Sequence, residues 1–392
     1  MMHDVVISGA GPAGSKCAEV LAKAGYKVAL IEKDTNWRKP CGGGITYKVF
    51  DLCPELKKLN LPRINGITMF SADFHKLDFR LESNRYGAVI DRLDLDNILR
   101  NTAIDAGAQL FDKNFSFDFI TKEGNRIGIK TRTSDGIKEY LGKILVVADG
   151  VSSKLAIKAG LRRKWKINEL GIGKCAIMEG THQIDEEFIY TFFMPYNGYG
   201  WIFPMGNHRF NIGVTTFNEA NLQYNINNLY HDFLANPNTK KYVPGTDYKI
   251  IWEGTFPYPV GGILEKSLYS DNILLVGDNG GFVSPISGEG IPSSIKSGKI
   301  AAEIATNSLQ EENYSKNFLK NYKSHPEIKY MIRSFKLKLS MLKFFYENNG
   351  KNFNKMLKLT EENPKFKVHT VNLFVSKKLP PKDFIATIKE IS

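Results

Sequence analysis

The chain of 392 residues is longer than one hydrophobic core usually serves, so two closely joined domains are expected. Its 42% hydrophobic and 24% charged residues exclude a disordered chain, and no run of about 18 apolar residues is present to span a bilayer. The formal charge of +12 implies attraction to something anionic, but no nucleic-acid-binding motif accompanies it, so nucleic acid is excluded as a partner.

Residues 4–8 read as a buried strand, 15–24 as a helix ending at Gly25, and 27–32 as a second strand, together a βαβ unit. The first strand begins so near Met1 that a signal peptide has no room, which predicts a cytoplasmic protein. A glycine-rich loop, Pro40-Cys41-Gly42-Gly43-Gly44, follows. Residues 66–90 alternate apolar and polar, predicting antiparallel strands, and a helix is expected over 92–106 with Gly107 beyond it. Lys143 to Ala148 reads as a buried strand ending at Asp149-Gly150. From about residue 165 to 268 short strands and turns predict an antiparallel sheet; Asn272–Val276 then returns to the first domain and feeds a helix over about 290–308. The expected division is therefore 1–165 and 269–310 for the first domain, with strands at 66–90 lent to a second domain of 166–268. Residues 311–392 are Lys-rich, with Phe, Leu and Met at helical spacing, and Leu379-Pro380-Pro381 breaks whatever helix precedes it. The four cysteines, Cys17, Cys41, Cys53 and Cys175, have no CxxC spacing and no His partner, so no metal is expected and a reducing compartment is.

Gly9-Ala10-Gly11-Pro12-Ala13-Gly14 spells GxGxxG between a strand and a helix, and Glu32 ends the next strand. Gly9 permits the tight turn, Gly11 lets the backbone approach a pyrophosphate, and Gly14 lets helix and strand pack closely. The helix N-terminus attracts phosphate, and Glu32, followed by Lys33, can accept from both ribose hydroxyls of an adenosine. Two distant segments favour FAD over NAD. One is the strand ending at Asp149-Gly150; the other is Gly277-Asp278 with Pro285 and Gly288-Glu289-Gly290, each at the end of an apolar strand, where open α/β sheets bind ligands. Asp278 suits a ribityl hydroxyl, and a helix starting near Ile291 would aim its positive end at the flavin. Gly171-Ile172-Gly173-Lys174-Cys175-Ala176 spells GxGxxA but lacks a preceding strand and a following helix, so it reads as a turn into a strand. The external electron donor (NADPH, ferredoxin or a similar carrier) has no second dinucleotide fold of its own.

The order GAGPAG, Glu32, Pro-Cys-Gly-Gly-Gly, Asp149-Gly150, Gly198-Tyr199-Gly200-Trp201-Ile202-Phe203-Pro204 and Gly277-Asp278 resembles the geranylgeranyl reductase family over about residues 1–310. That resemblance implies an α/β fold: a Rossmann-like FAD domain of the p-hydroxybenzoate hydroxylase type, interleaved with an antiparallel-sheet substrate domain. It also implies saturation of isoprenoid double bonds by hydride transfer from N5 of reduced FAD, with Arg92 near the pyrophosphate or ribityl chain. The expected partner is a lipid or pigment with a polyprenyl chain. Ser287-Gly288-Glu289-Gly290 is similar to the chlorophyll-type branch, whereas the archaeal lipid branch more often has glycine where Glu289 stands.

Tyr199, Trp201 and Phe203 are spaced by two, so in a strand they face one way; this suits either a core or a water-free cavity for a long unsaturated chain. Cys41 is the candidate catalytic residue, as a proton donor or as a group that positions the ring. Lys336, Lys338, Lys343, Lys351, Lys355 and Lys358 among Phe and Leu suggest helices whose basic faces meet an anionic membrane surface, with a solvated cover as the equal alternative. Three functions stand at this point: the reductase, a monooxygenase or halogenase of the same fold, and a membrane-peripheral or electron-transfer flavoprotein. GYGWIFP is a partial match to the halogenase signature Gly-Trp-x-Trp-x-Ile-Pro.

Overall fold

In a computed structural model, which describes residues 2–82, 85–182, 184–243, 247–263 and 268–375 together with 381, 384, 386, 387 and 390, the first strand runs over Met2–Ser8. It lies at the centre of an eight-stranded sheet. Its parallel neighbours are Gly136–Val147 and Val28–Ile31, which in turn pair with Ile273–Leu275 and Gln109–Phe111. Tyr269–Ser270 and the hairpin Phe115–Lys122/Asn125–Thr133 extend it antiparallel. The central strands read as continuous apolar runs because both faces are covered, one by the helices Pro12–Lys23 and Ile291–Gln310, the other by hairpin side chains such as Phe119 and Ile129 and by the short helix Lys154–Lys158: Val5, Val6, Ile7, Leu145, Val146 and Val147 are all fully buried.

The first helix spans Pro12–Lys23 and so begins three residues before the expected 15. Pro12 occupies its first turn, where a missing N–H costs nothing. This helix packs along Ile291–Gln310, which also carries a proline in its first turn. The helix expected over 92–106 runs from Arg92 to Asp105, and Asp91 caps it by accepting from the Leu93 N–H at 2.9 Å.

The second sheet has seven strands in the order Lys249–Pro259, Leu170–Glu179, Arg209–Phe217, Gly198–Gly206, Phe188–Phe193, Gly66–Phe70, Lys76–Arg80. It is antiparallel except where Phe188–Phe193 runs parallel to Gly66–Phe70, the strand lent by the early part of the chain. Residues 171–176, expected as a turn into a strand, lie wholly within Leu170–Glu179, where pairing on both edges holds the glycines extended.

The α-helices Lys316–Ser324, Pro326–Tyr346, Lys351–Glu362 and Pro364–Val375 follow Gln310. Leu342, Phe345, Phe353, Met356 and Leu357 pack into one core with Ile67, Leu77, Phe79 and Phe193 of the second sheet. At about 2 kcal/mol for each large apolar side chain buried, this stripe is committed to the protein interior. Lys338 is only 7% exposed, so its place among the basic residues expected at a membrane surface is corrected: it faces inward on the same side as Phe335 and Leu342. Lys336, Lys343, Lys351, Lys355 and Lys358 lie on the exposed side. Leu379 and Pro380 lie outside the described residues. Among the described residues no helix is long and apolar enough to cross a membrane.

Candidate active site

Two cavities meet between the sheets. The smaller, about 230 Å³, follows the ends of the parallel strands and is lined by Gly9, Gly11, Pro12, Ala13, Glu32, Lys33, Asp149, Gly150, Gly277 and Asp278. The larger, about 270 Å³, is lined by Cys41, Gly42, Gly43, Tyr199, Trp201, Phe203, Gly288, Gly290 and Ile291. Pro12, Lys39, Arg92, Phe256, Asp278 and Ser294 border both, so the two form one continuous space. Of the residues singled out from sequence, Gly14 and Pro285 line neither cavity. A Cβ on Gly14 would stand 1.9 Å from the Gly9 carbonyl oxygen, so this glycine serves the helix–strand contact; Pro285 is buried in the turn that Gly288 closes on the Ser284 carbonyl.

The smaller cavity has the chemistry of an adenosine diphosphate end. Glu32 is fixed by three backbone donors: Ala10 N–H at 2.7 Å to Oε2, and Lys33 and Asp34 N–H at 2.9 and 3.2 Å to Oε1. These contacts place the carboxylate across the glycine turn. Gly11 caps the helix and faces open space, and the buried Ser8 hydroxyl on the cavity wall has no partner among the described residues. An extended dinucleotide fits a space with donors at a helix end, an unsatisfied hydroxyl and a carboxylate at the far side. Asp149 lines this cavity and not the larger one. Burial pushes its carboxyl up to about 6, partly offset by hydrogen bonds from Ser153 and Asn279.

At the junction, Lys39 donates to Asp278, and Arg92 grips Asp96 with Nε and Nη2 at 3.1 and 2.8 Å. Arg92 is 6% exposed. Burial works against its charge, yet Asp96 and the adjacent Cys41 hold its pKa above the usual arginine range. Lys39, Trp37, Asp96 and Arg100 line the cavity without having been singled out from sequence. Asp96 was legible in principle, because a residue four after Arg92 on a helix shares its face. Lys39 carried no such signal.

In the larger cavity Tyr199, Trp201 and Phe203 all face the space, as period-two residues of one strand must. The Trp201 indole donates to Asn211 Oδ1 at 2.8 Å, and Asn211 Nδ2 donates to the Cys41 carbonyl at 2.8 Å. Gly43 adopts φ +72°, and a Cβ there would lie 2.3 Å from the Ile90 oxygen, so the loop reaches its tight path only with glycine. The Gly43 N–H points to Cys41 Sγ at 3.4 Å. Most of the remaining wall is apolar: Ile67, Met69, Leu81, Ile189, Phe193 and, from the helix Pro364–Val375, Phe374.

The fold and the continuous site define an FAD-dependent oxidoreductase. The FAD binding domain family model matches residues 2–325. The chain is 30% identical over 337 residues to digeranylgeranylglycerophospholipid reductase 1 of Methanopyrus kandleri, covering 83% of this chain and 86% of that protein. It belongs to the geranylgeranyl reductase family. Among solved structures, a geranylgeranyl bacteriochlorophyll reductase-like protein of Thermoplasma acidophilum superposes with a TM-score of 0.85 at 21% identity, covering 100% of this chain and 99% of that one. A triple mutant of a flavin-dependent brominase superposes with a TM-score of 0.78 at 18% identity over 99% of each chain, a likeness of fold alone.

Proposed function

We propose that this enzyme saturates carbon–carbon double bonds in geranylgeranyl chains carried by a glycerophospholipid, drawing the chain into the larger cavity beside the flavin. The observation that carries this reading is the aromatic and aliphatic wall of that cavity, which joins the dinucleotide space directly at Pro12, Lys39 and Asp278. When bound, reduced FAD supplies the hydride.

The residues of the chain do the rest by placement. Glu32 takes the adenosine ribose, Lys33 and the helix starting at Pro12 favour the pyrophosphate, and Asp278 meets the ribityl chain. Arg92, braced by Asp96, stands at the junction. Gly42 and Gly43 allow the loop to lie close against the ring, and Cys41, tethered through Asn211, positions it. Tyr199, Trp201 and Phe203 hold the prenyl chain and exclude water. An isolated alkene offers no carbonyl to polarise, so alignment and dryness carry most of the rate. The electrons come from an external carrier such as NADPH or ferredoxin.

Replacing Trp201 with Ala tests the cavity assignment. Reduction of the flavin by dithionite should be unchanged, while kcat/KM for a geranylgeranyl lipid should fall by about tenfold or more, as expected when a large apolar contact is lost. Equal loss in both steps, or in neither, would contradict it.

A further inference from the structure

Beyond the glycine loop the chain enters a two-stranded ladder, Gly44–Ile45 against Ala88–Val89. Gly44 pairs with Val89 beside the loop, and Ile45 pairs with Ala88 one step further out. Two residues beyond that step stand Tyr47 and Tyr86, followed by Arg85, and all three line the larger cavity but not the smaller. A third segment joins them through the bridge between Ile64 and Gly87, and it carries Arg63. The Arg85 side chain is 39% exposed, whereas Trp201 is 6% exposed. The ladder therefore leads from the closed end of the cavity to its open rim.

Cationic side chains are gathered at that rim by its aromatic rings. The Arg63 guanidinium lies 4.0 Å from the centre of the Tyr86 ring, and that of Arg85 lies 5.7 Å from the Tyr47 ring. The Lys48 ammonium stands 6.0 Å from the same Tyr47 ring. Such rings support long cationic side chains over an apolar mouth without neutralising them. Arg85 Nε donates to Glu82 at 3.1 Å, but Glu82 is 66% exposed, and an exposed bridge of this kind contributes little. A phosphate offers more acceptor oxygens and displaces such a carboxylate. The other cations on the cavity wall are engaged deeper in, Lys39 by Asp278 and Arg92 by Asp96. Glu289 also lines the wall, where it accepts from the Thr46 hydroxyl at 3.4 Å.

We infer that this rim is a headgroup subsite, in which Arg85 and Arg63 hold the phosphate of the lipid while its prenyl chain runs inward along Ile67, Met69 and Ile189 toward Trp201. The inference rests on the reading of the cavity as a prenyl site and adds a direction to it: phosphate outermost, chain innermost. A neutral prenyl lipid can fill the apolar wall but leaves the arginines without an anion, so the subsite selects for phosphorylated lipids.

The test is a binding titration of oxidised holoenzyme, read by flavin fluorescence, with digeranylgeranylglycerol and with its phosphate ester. Neutral detergent micelles keep the exposed lysines of the C-terminal helices out of the comparison. Wild type should bind the phosphorylated lipid about tenfold or more tightly, as expected of a charge-assisted contact. Arg85→Gln should bind the two lipids alike, with flavin content and affinity for the neutral lipid unchanged. Arg63→Gln should lose about threefold or more of the preference. Glu82→Gln removes the rival acceptor, so it should tighten the phosphorylated lipid and leave the neutral one as it was. Wild type binding both lipids equally overturns the inference, as does Arg85→Gln keeping the full preference. Equal loss of both lipids in Arg85→Gln also overturns it, because that marks a structural arginine. Inorganic phosphate that displaces the phosphorylated lipid at equal concentration would make the rim a free-anion site and overturn the headgroup assignment. Failure of wild type to bind either lipid would instead remove the prenyl reading of the cavity, which the preceding outcomes leave standing.

Discussion

Trp201 and Cys41 are joined through a single side chain: the indole donates to Asn211 at 2.8 Å, and Asn211 donates to the Cys41 carbonyl at 2.8 Å. Asn211 is 3% exposed, on the strand paired with that of Trp201. A sheet residue thus sets the position of a loop more than 150 residues away in sequence, and the aromatic wall and the glycine loop share one support.

Asn211→Ala should expose this dependence. Losing two buried hydrogen bonds, and leaving an indole N–H and a carbonyl without partners, costs about 2–3 kcal/mol. Urea unfolding of the FAD-free protein should show the lower midpoint. Unchanged stability would mean that water replaces the amide and that the tether is not needed.

Glu32→Lys should weaken FAD retention by about tenfold or more. A hydrogen-bonded carboxylate at the ribose contributes roughly 1.5–3 kcal/mol, and its three backbone donors would also lose their acceptor. Equilibrium dialysis of the flavin measures it; retention equal to wild type would remove Glu32 from the site.

Asp149 gives a pH signature. Its carboxyl is raised to about 6 from the usual aspartate value of 3.8, so the folded state binds the proton that the unfolded state releases. Its contribution is most favourable below pH about 4 and is lost as pH rises through 6, at roughly 1.4 kcal/mol per unit of displacement. Asp149→Asn should therefore be stabilised relative to wild type at pH 7, without FAD, and the difference should vanish near pH 4. A difference that grows toward acid pH would reverse the sign and refute the assignment.

Peripheral membrane binding remains a proposal carried by the exposed lysines, with Lys338 removed from the set. Replacing Lys343, Lys351 and Lys358 together by Gln should reduce binding to anionic vesicles by about tenfold or more at low salt, since each contributes about 1 kcal/mol near such a surface. Binding should also weaken as salt shortens the screening length. Equal binding to neutral vesicles would assign the contact to apolar insertion instead.

The dinucleotide half of the site was legible because its constraints are local. GxGxxG, the strand before it, the helix after it and Glu32 all lie within 32 residues, and the period-two aromatics needed only one strand. What sequence could not show comes from the tertiary meeting of distant segments. The parallel pairing of Phe188–Phe193 with Gly66–Phe70, the salt bridge from Lys39 to Asp278, and Phe374 in the cavity wall have no local signature. Lys338 shows the same limit in reverse. A lysine among phenylalanines reads as a surface charge, and only the packing of its helix against the second sheet turns it inward.

The central claim is that this cavity reduces an alkene and does not host oxygen chemistry. Single-turnover reaction of the dithionite-reduced holoenzyme with a geranylgeranyl glycerophospholipid under strict anaerobiosis tests it directly, with lipid mass read by mass spectrometry. The expected result is flavin reoxidation without oxygen, with the lipid gaining about two mass units for each bond reduced, a hydride and a proton. Reoxidation only when oxygen is admitted, with an oxygenated or halogenated product, would contradict the account and assign the enzyme to the monooxygenase or halogenase chemistry of the same fold.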